Sequence, residues 1–162
     1  MTELKKITQI ELGKKLMLHK IWLDDSTSGE RLNLSYHDLI FANLEDADLK
    51  CADLQEADLY AANLTGANLK GADIRCANLQ EADLTGANLK EADIRCANLQ
   101  DSDLKGANLQ FVNLKGANLE DADLKCADLT RANLQGANLI DTDICMSVLD
   151  YFKARYDDET KF

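Results

Sequence analysis

The sequence predicts an all-β solenoid, a β-helix of square cross-section with about six coils around a leucine core. Two periods and one small residue predict it. Every fifth residue from Leu34 to Leu149 is Leu or Ile, 24 positions without interruption, with Ile only at 74, 94 and 144. The segment from Ala72 to Gln80 recurs unchanged 20 residues later, from Ala92 to Gln100. The residue two places before each leucine is Ala in 18 of the 24 repeats.

A period of five suits neither ordinary element. On an α-helix successive leucines would step by about 140° and wander round the cylinder, and on a flat strand an odd period would put alternate leucines on opposite faces. All of them point inward only if the chain turns a corner once per repeat. A second inward position beside a bulky leucine then has room for little more than a methyl group, which explains the alanines. Gly66, Gly86 and Gly106, Lys50, Lys70 and Lys90, and Asp101, Asp121 and Asp141 share the 20-residue spacing. Four repeats therefore make one coil, and the 24 repeats make six, a stack roughly 25 to 30 Å tall.

The residue just before each leucine is Asn in 12 repeats and Asp in 11, with Val148 the one departure. A short side chain with an acceptor oxygen bonds nearby backbone donors and steadies a turn, so most of these carboxylates are structural. Asn78, Asn98, Asn118 and Asn138 fall in one column, where amide ladders form. Six of the eight glycines, at 66, 71, 86, 106, 116 and 136, lie two residues after a leucine. That is the third position of a corner turn, where φ > 0 favours glycine. The other corners carry bulkier residues, so a mixture of type II and less regular turns is expected.

Repeats of the form Ala-(Asp/Asn)-Leu-X-X, such as residues 52–56 (Ala-Asp-Leu-Gln-Glu) and 67–71 (Ala-Asn-Leu-Lys-Gly), resemble the pentapeptide-repeat protein family over about three quarters of the chain. The resemblance implies a right-handed quadrilateral β-helix. It also implies a non-enzymatic scaffold or protein-interaction role. Part of the family mimics DNA and protects type II topoisomerases, which makes an acidic DNA mimic the alternative. Against that alternative, no phenylalanine occupies the central position, no loop interrupts the coils, and an N-terminal helix is added.

Both ends abandon the repeat. Residues 1–31 read as a helical cap and polar connector, 32–146 as the β-helix, and 147–162 as a C-terminal helix and tail. Thr8 and Glu11 form a capping-box pattern, followed by a helix to about Leu23 with Leu12, Leu16, His19 and Leu23 on one stripe. The outward positions of the first coils, Tyr36, Ile40, Phe41, Tyr60 and Ala61, are apolar, and the cap or its connector is expected to cover part of them. At the far end Val148, Phe152 and Tyr156 give the expected helix an apolar face that either closes the last coil or pairs with its copy in a homodimer. The dimer draws on relatives that join through such a helix.

The net charge is −11, yet residues 1–23 carry five lysines against Glu3 and Glu11, a local +3, leaving −14 on the remainder. So acidic a body repels phosphates, which argues against direct nucleic-acid or anionic-membrane binding. No apolar run approaches the roughly 18 residues that span a bilayer. Five cysteines without paired spacing fit a reducing, cytoplasmic setting. His19 and His37 neighbour no cysteine, and no catalytic, metal or cofactor site is expected. Cys76 and Cys96 are one coil apart, within the Cα range of a disulfide, but their parallel side chains favour free thiols.

The suggestive surface is one edge where Glu81, Asp83, Asp101, Asp103, Asp121, Asp123, Asp141 and Asp143 place eight carboxylates over three coil rises. Lys105 and Lys125 follow that ladder, and Arg75, Arg95 and Lys115 form a basic column. Phe111, at an outward corner between Glu91 and Arg131, is a second candidate contact. The partner expected is a protein.

Overall fold

A computed structural model describes residues 4–144 and 154–162. The chain coils with a 20-residue period: Asn33 forms a parallel bridge with Asp53, Asp53 with Asp73, and so on through Asn118 with Asn138. Each wall contributes one bridging residue, the Asx of its repeat.

In a mid-stack repeat each backbone N–H has a partner. In residues 53–57, the Leu54 N–H donates to Asp73 O at 2.7 Å, Glu56 to Arg75 O at 2.9 Å, and Asp53 back to Leu32 O at 3.0 Å. The Ala57 N–H closes the corner on Leu54 O at 3.2 Å. The fifth, on Gln55, donates to Oδ1 of Asp53 at 3.2 Å. The same Asx bond recurs from Asn33, which accepts from Ser35, to Asn138, which accepts from Ile140. A buried or half-buried amide needs a partner, and this one has no backbone carbonyl to reach. The Asx position is therefore obligatory backbone chemistry. In the column predicted to form a ladder, Asn98, Asn118 and Asn138 each donate from Nδ2 to the Asn Oδ1 one coil earlier, at 3.3, 3.2 and 2.9 Å.

The leucines meet on the axis. From Leu34 to Leu139 each Leu or Ile of the period is at most 6% exposed, and the alanines beside them are buried too, Ala47 only in part. Where Ser102 replaces Ala in the core, its hydroxyl donates to Leu99 O at 2.7 Å, which offsets the cost of burying it. Among the described residues no buried side-chain nitrogen or oxygen lacks a partner.

The corners are more uniform than the glycine pattern suggests. All of them from Tyr36 to Asp141 hold a left-handed third residue, with φ between 51° and 67°, whether that residue is Gly, Cys, Asp, Glu, Phe or Arg. An L-residue there is strained by about 1 kcal/mol. Stacking outweighs the preference, because the third-position N–H must meet the carbonyl of the coil below, as Phe41 meets Tyr60 O at 3.0 Å.

At the N-terminus, a short strand β1 (Lys5–Lys6) pairs in parallel with β2 (His37–Asp38). Helix α1 (Gln9–Asp24) then starts on the reciprocal Thr8–Glu11 capping box. Leu12 and His19 are buried, and Gln9 Nε2 donates to Asn43 O at 3.1 Å. The His19 ring bridges two chain segments: Nδ1 accepts from Leu32 N–H at 3.0 Å and Nε2 lies 3.0 Å from Lys50 O. Ile40 and Phe41, expected to be partly covered, stay 40% and 71% exposed. The helix grips carbonyls of the first coil instead, and Phe41 rests edge-on against Tyr60 at 5.8 Å.

Of the C-terminal helix expected through Val148, Phe152 and Tyr156, Val148 and Phe152 lie outside the described residues, and its extension to Tyr156 is corrected, because residues 154–162 carry no helix. Arg155 bridges Asn133 and Lys161 bridges Asn138 in parallel, and Thr160 Oγ1 donates to Leu134 O at 2.9 Å. The last coil presents unpaired amides and carbonyls that a helix cannot satisfy, whereas an extended tail can. Tyr156 is half-buried and sits edge-on to Phe162 at 5.7 Å.

Candidate functional site

The eight carboxylates of the acidic edge separate into two stacked files with different surroundings. Asp83, Asp103, Asp123 and Asp143 stand at wall positions. Asp83, Asp103 and Asp123 accept the N–H of Thr85, Lys105 and Lys125. Lysines also zigzag down this file. Lys105 Nζ lies 2.7 Å from Asp103 and 3.1 Å from Asp123, and Lys125 Nζ lies 3.3 Å from Asp123 and 2.9 Å from Asp143. The donated Lys125 N–H, and after it the two lysines, hold the Asp123 carboxyl below the usual range, partial burial notwithstanding.

Glu81, Asp101, Asp121 and Asp141 stand at corners, all exposed, with φ of 57° or 58°. The backbone N–H groups of Glu81, Asp101 and Asp121 are tied to the coil below, but no lysine or arginine forms an ion pair with any of the four among the described residues. Glu81 accepts from the Tyr60 hydroxyl at 2.7 Å. Partial desolvation, then Asp101 and Asp141 on either side, pushes the Asp121 carboxyl up. Glu120 adds a further charge beside Asp121 and accepts from Asn138 Nδ2 at 2.9 Å. Sequence reading passed over Glu120, though its position just before Asp121 was the signal. The surface is thus a single file at about 4.8 Å per charge, not a field of eight.

The basic column is largely spoken for. Arg75 and Arg95 each bond their own Asp73 or Asp93 in a fork, with closest contacts of 2.7 Å. Where Asp73 stacks on Asp93, and Asp103 on Asp123 and Asp123 on Asp143, an Arg or Lys two residues on supplies the counter-charge.

Phe111 belongs to another surface. It lies ten residues from Asp101, two walls round a four-wall coil, and so at the diagonally opposite corner. Its ring is 44% exposed and is flanked by Lys90 Nζ and Arg131 Cζ, each 5.6 Å from the centroid. One flat partner cannot touch both features.

Both histidines are committed structurally, His37 through Nδ1 to Ser35 O at 2.9 Å. Among the described residues no group of three or more His, Cys, Asp or Glu is placed to hold a metal ion, and no helix is long and apolar enough to cross a membrane.

Stacked square coils with inward leucines, Asx-tied walls and left-handed corners define a repeat solenoid whose variable positions all face outward. The family model for pentapeptide repeats matches residues 38–75, 72–110 and 113–145, and the chain belongs to that family, whose fold is the right-handed quadrilateral β-helix. Among solved structures it is similar to the pentapeptide repeat protein Rfr23 from the cyanobacterium Cyanothece 51142, at 35% identity over 62% of this chain and 64% of that one, TM-score 0.46. It therefore spans less than two thirds of that relative. HetL, involved in heterocyst differentiation regulation in Nostoc sp. strain PCC 7120, is 28% identical over 82% of this chain and 70% of its own, TM-score 0.33. QnrB1, a plasmid-mediated fluoroquinolone resistance protein, is 22% identical over 83% and 70%, TM-score 0.43. No curated protein sequence matches.

Proposed function

We propose that this protein is a rigid, non-enzymatic interaction module of the cytoplasm that presents the corner file Glu81, Asp101, Asp121 and Asp141 to a basic protein segment. The observation that carries the reading is the contrast between the two files: Lys105 and Lys125 offset the wall carboxylates, while the corner carboxylates have no cationic partner among the described residues, Glu81 meeting only the Tyr60 hydroxyl. Like charges in a stack weaken the fold slightly, and a partner's lysines or arginines would relieve that repulsion. An extended basic segment, whose same-face side chains recur at about 6.6 Å, can thread such a file.

The non-enzymatic part of the reading rests on chemistry. The exposed file is made of one kind of group, and both histidines are tied to backbone atoms. DNA mimicry is less well supported. One charge per coil is sparser than duplex DNA, which presents one per about 1.7 Å of axis.

Affinity capture from the native lysate tests the proposal by comparing the wild type with a variant carrying Asp101→Lys, Asp121→Lys and Asp141→Lys. Loss of a discrete basic protein in the variant is the expected result, and identical recovered sets would reduce the file to a solvated edge. Inhibition of gyrase supercoiling that disappears in the same variant would favour mimicry instead.

A further inference from the structure

We propose that Cys76 and Cys96 form a two-thiol chelating site for a neutral trivalent metalloid, the arsenical class. Both hold the left-handed corner position of successive coils, with φ of 58° each. A cysteine at such a corner aims its sulfur along the column at the residue one coil on. Cys51 Sγ lies 3.6 Å from where a Cβ on Gly71 would stand, and Cys96 Sγ lies 3.6 Å from one on Gly116. Beyond Cys76 that Cβ is real, belongs to Cys96, and bears a second thiol. Cys51 and Cys126 have no cysteine one coil away in either direction.

The spacing suits a bridge through a third atom better than a direct bond. In-register Cβ atoms sit about 4.8 Å apart, beyond the roughly 3.8 Å of a disulfide. A pyramidal arsenic(III) holds its two sulfurs closer together than the in-register spacing, a distance that a rotation of the Cys96 side chain toward Cys76 can meet. Space is present too: the thiols open into a groove of about 400 Å³, and Gly116 continues the column without a side chain to fill it, Glu159 standing farther along beside Gly136.

The thiols stand without a third metal-binding group. Arg75 and Arg95, each forked to its own Asp, line the groove with Lys115 and Glu159, and among the described residues no cluster of three His, Cys, Asp or Glu is placed to complete a metal shell, whereas an uncharged monosubstituted arsenic(III) hydroxide needs only two sulfurs. Burial, and then Cys96, raises the Cys76 thiol, which keeps it protonated and suits condensation rather than nucleophilic attack as a thiolate. Two S–H and two As–OH bonds break, two As–S bonds form, and two waters leave. No electrons change hands.

The test uses the full, reduced chain with phenylarsine oxide, followed by a large excess of 2-mercaptoethanol and intact mass measurement. Adducts at single thiols are stripped by a monothiol, whereas a chelate survives. We expect one surviving arsenical per chain in the wild type and in the triple variant Cys51→Ser, Cys126→Ser, Cys145→Ser. None should survive in Cys76→Ser or Cys96→Ser. A resistant adduct in either single variant, or none in the triple variant, overturns the site.

Discussion

The backbone N–H of Leu32 donates to Nδ1 of His19 at 3.0 Å, joining the first repeat to the middle of helix α1 through one imidazole. With Nδ1 an acceptor, the proton resides on Nε2, which faces Lys50 O at 3.0 Å. A second proton would place an N–H against the Leu32 N–H. Burial is the main cause that depresses the His19 pKa, outweighing the Lys50 carbonyl and Asp48, while Arg31 lowers it further. The folded value lies below the unfolded one, so the stabilisation is complete above about pH 6.5 and is lost as pH falls through the folded value. Thermal unfolding between pH 7.5 and 5 should show Tm falling. In His19→Gln, which has no titrating group there, the acid slope should flatten, with a lower Tm at pH 7.5.

Lys105 links Asp103 and Asp123 across coils, and its replacement by Met should leave two stacked carboxylates without their shared counter-charge. Asp123 has a lowered pKa, so its contribution is present above the unfolded carboxylate range, about pH 4, and disappears as pH falls through the folded value. Lys105→Met should therefore lower Tm at pH 7, and the difference from wild type should narrow as pH falls below that range. A gap that stays unchanged into acid would mean that packing, not charge, was lost.

Two glycines test the corner geometry with opposite signs. At Gly86, where φ is +66°, nothing lies within 4 Å of an added Cβ, so Gly86→Ala changes only the backbone and should cost about 1 kcal/mol. Gly13, inside α1, also has an open Cβ position, and Gly13→Ala should stabilise by about 1 kcal/mol. Urea unfolding of both variants measures the pair. A stabilising Gly86→Ala would refute the strain assigned to the corners.

The leucine file, the alanine beside it and the four-repeat coil were legible because each is a period, and a period survives without knowledge of distances. The sequence also pointed to Thr8, Glu11 and the Leu12–His19 stripe, since capping and helical spacing are local. What it hid was relational. Eight carboxylates looked equivalent until Lys105 and Lys125 were seen to reach one file and miss the other. The cations flanking Phe111, Lys90 and Arg131, emerged only from the coil. Tyr156 read as helical because apolar spacing is ambiguous over a few residues, while the demand of the last coil for backbone partners acts only in three dimensions.

Leu89 lies mid-stack and is 0% exposed. Each coil shares its core with the coils above and below, so a cavity there cannot close by moving one wall without breaking ladder bonds on two sides. Leu89→Ala should cost about 2 to 5 kcal/mol by chemical denaturation. Lys90→Ala, one residue on, removes only an exposed contact with Phe111 and should cost less than about 1 kcal/mol.

The tail gives the last test. Arg155 N–H donates to Ala132 O at 2.7 Å and Leu134 N–H donates to Arg155 O at 2.6 Å, while Lys161 makes the equivalent pair with Ala137 and Leu139 at 2.9 and 2.7 Å. Without residues 154–162 these groups of the final coil become an open edge whose natural partner is another open edge. The truncated chain should self-associate with rising concentration in light scattering more strongly than the full chain does. Arg155→Pro separates edge exposure from simple loss of mass, because it removes one ladder donor and leaves the tail's length unchanged. It should shift association in the same direction by a smaller amount. If both variants behave as the full chain does, the ladder bonds of the tail do not protect this end.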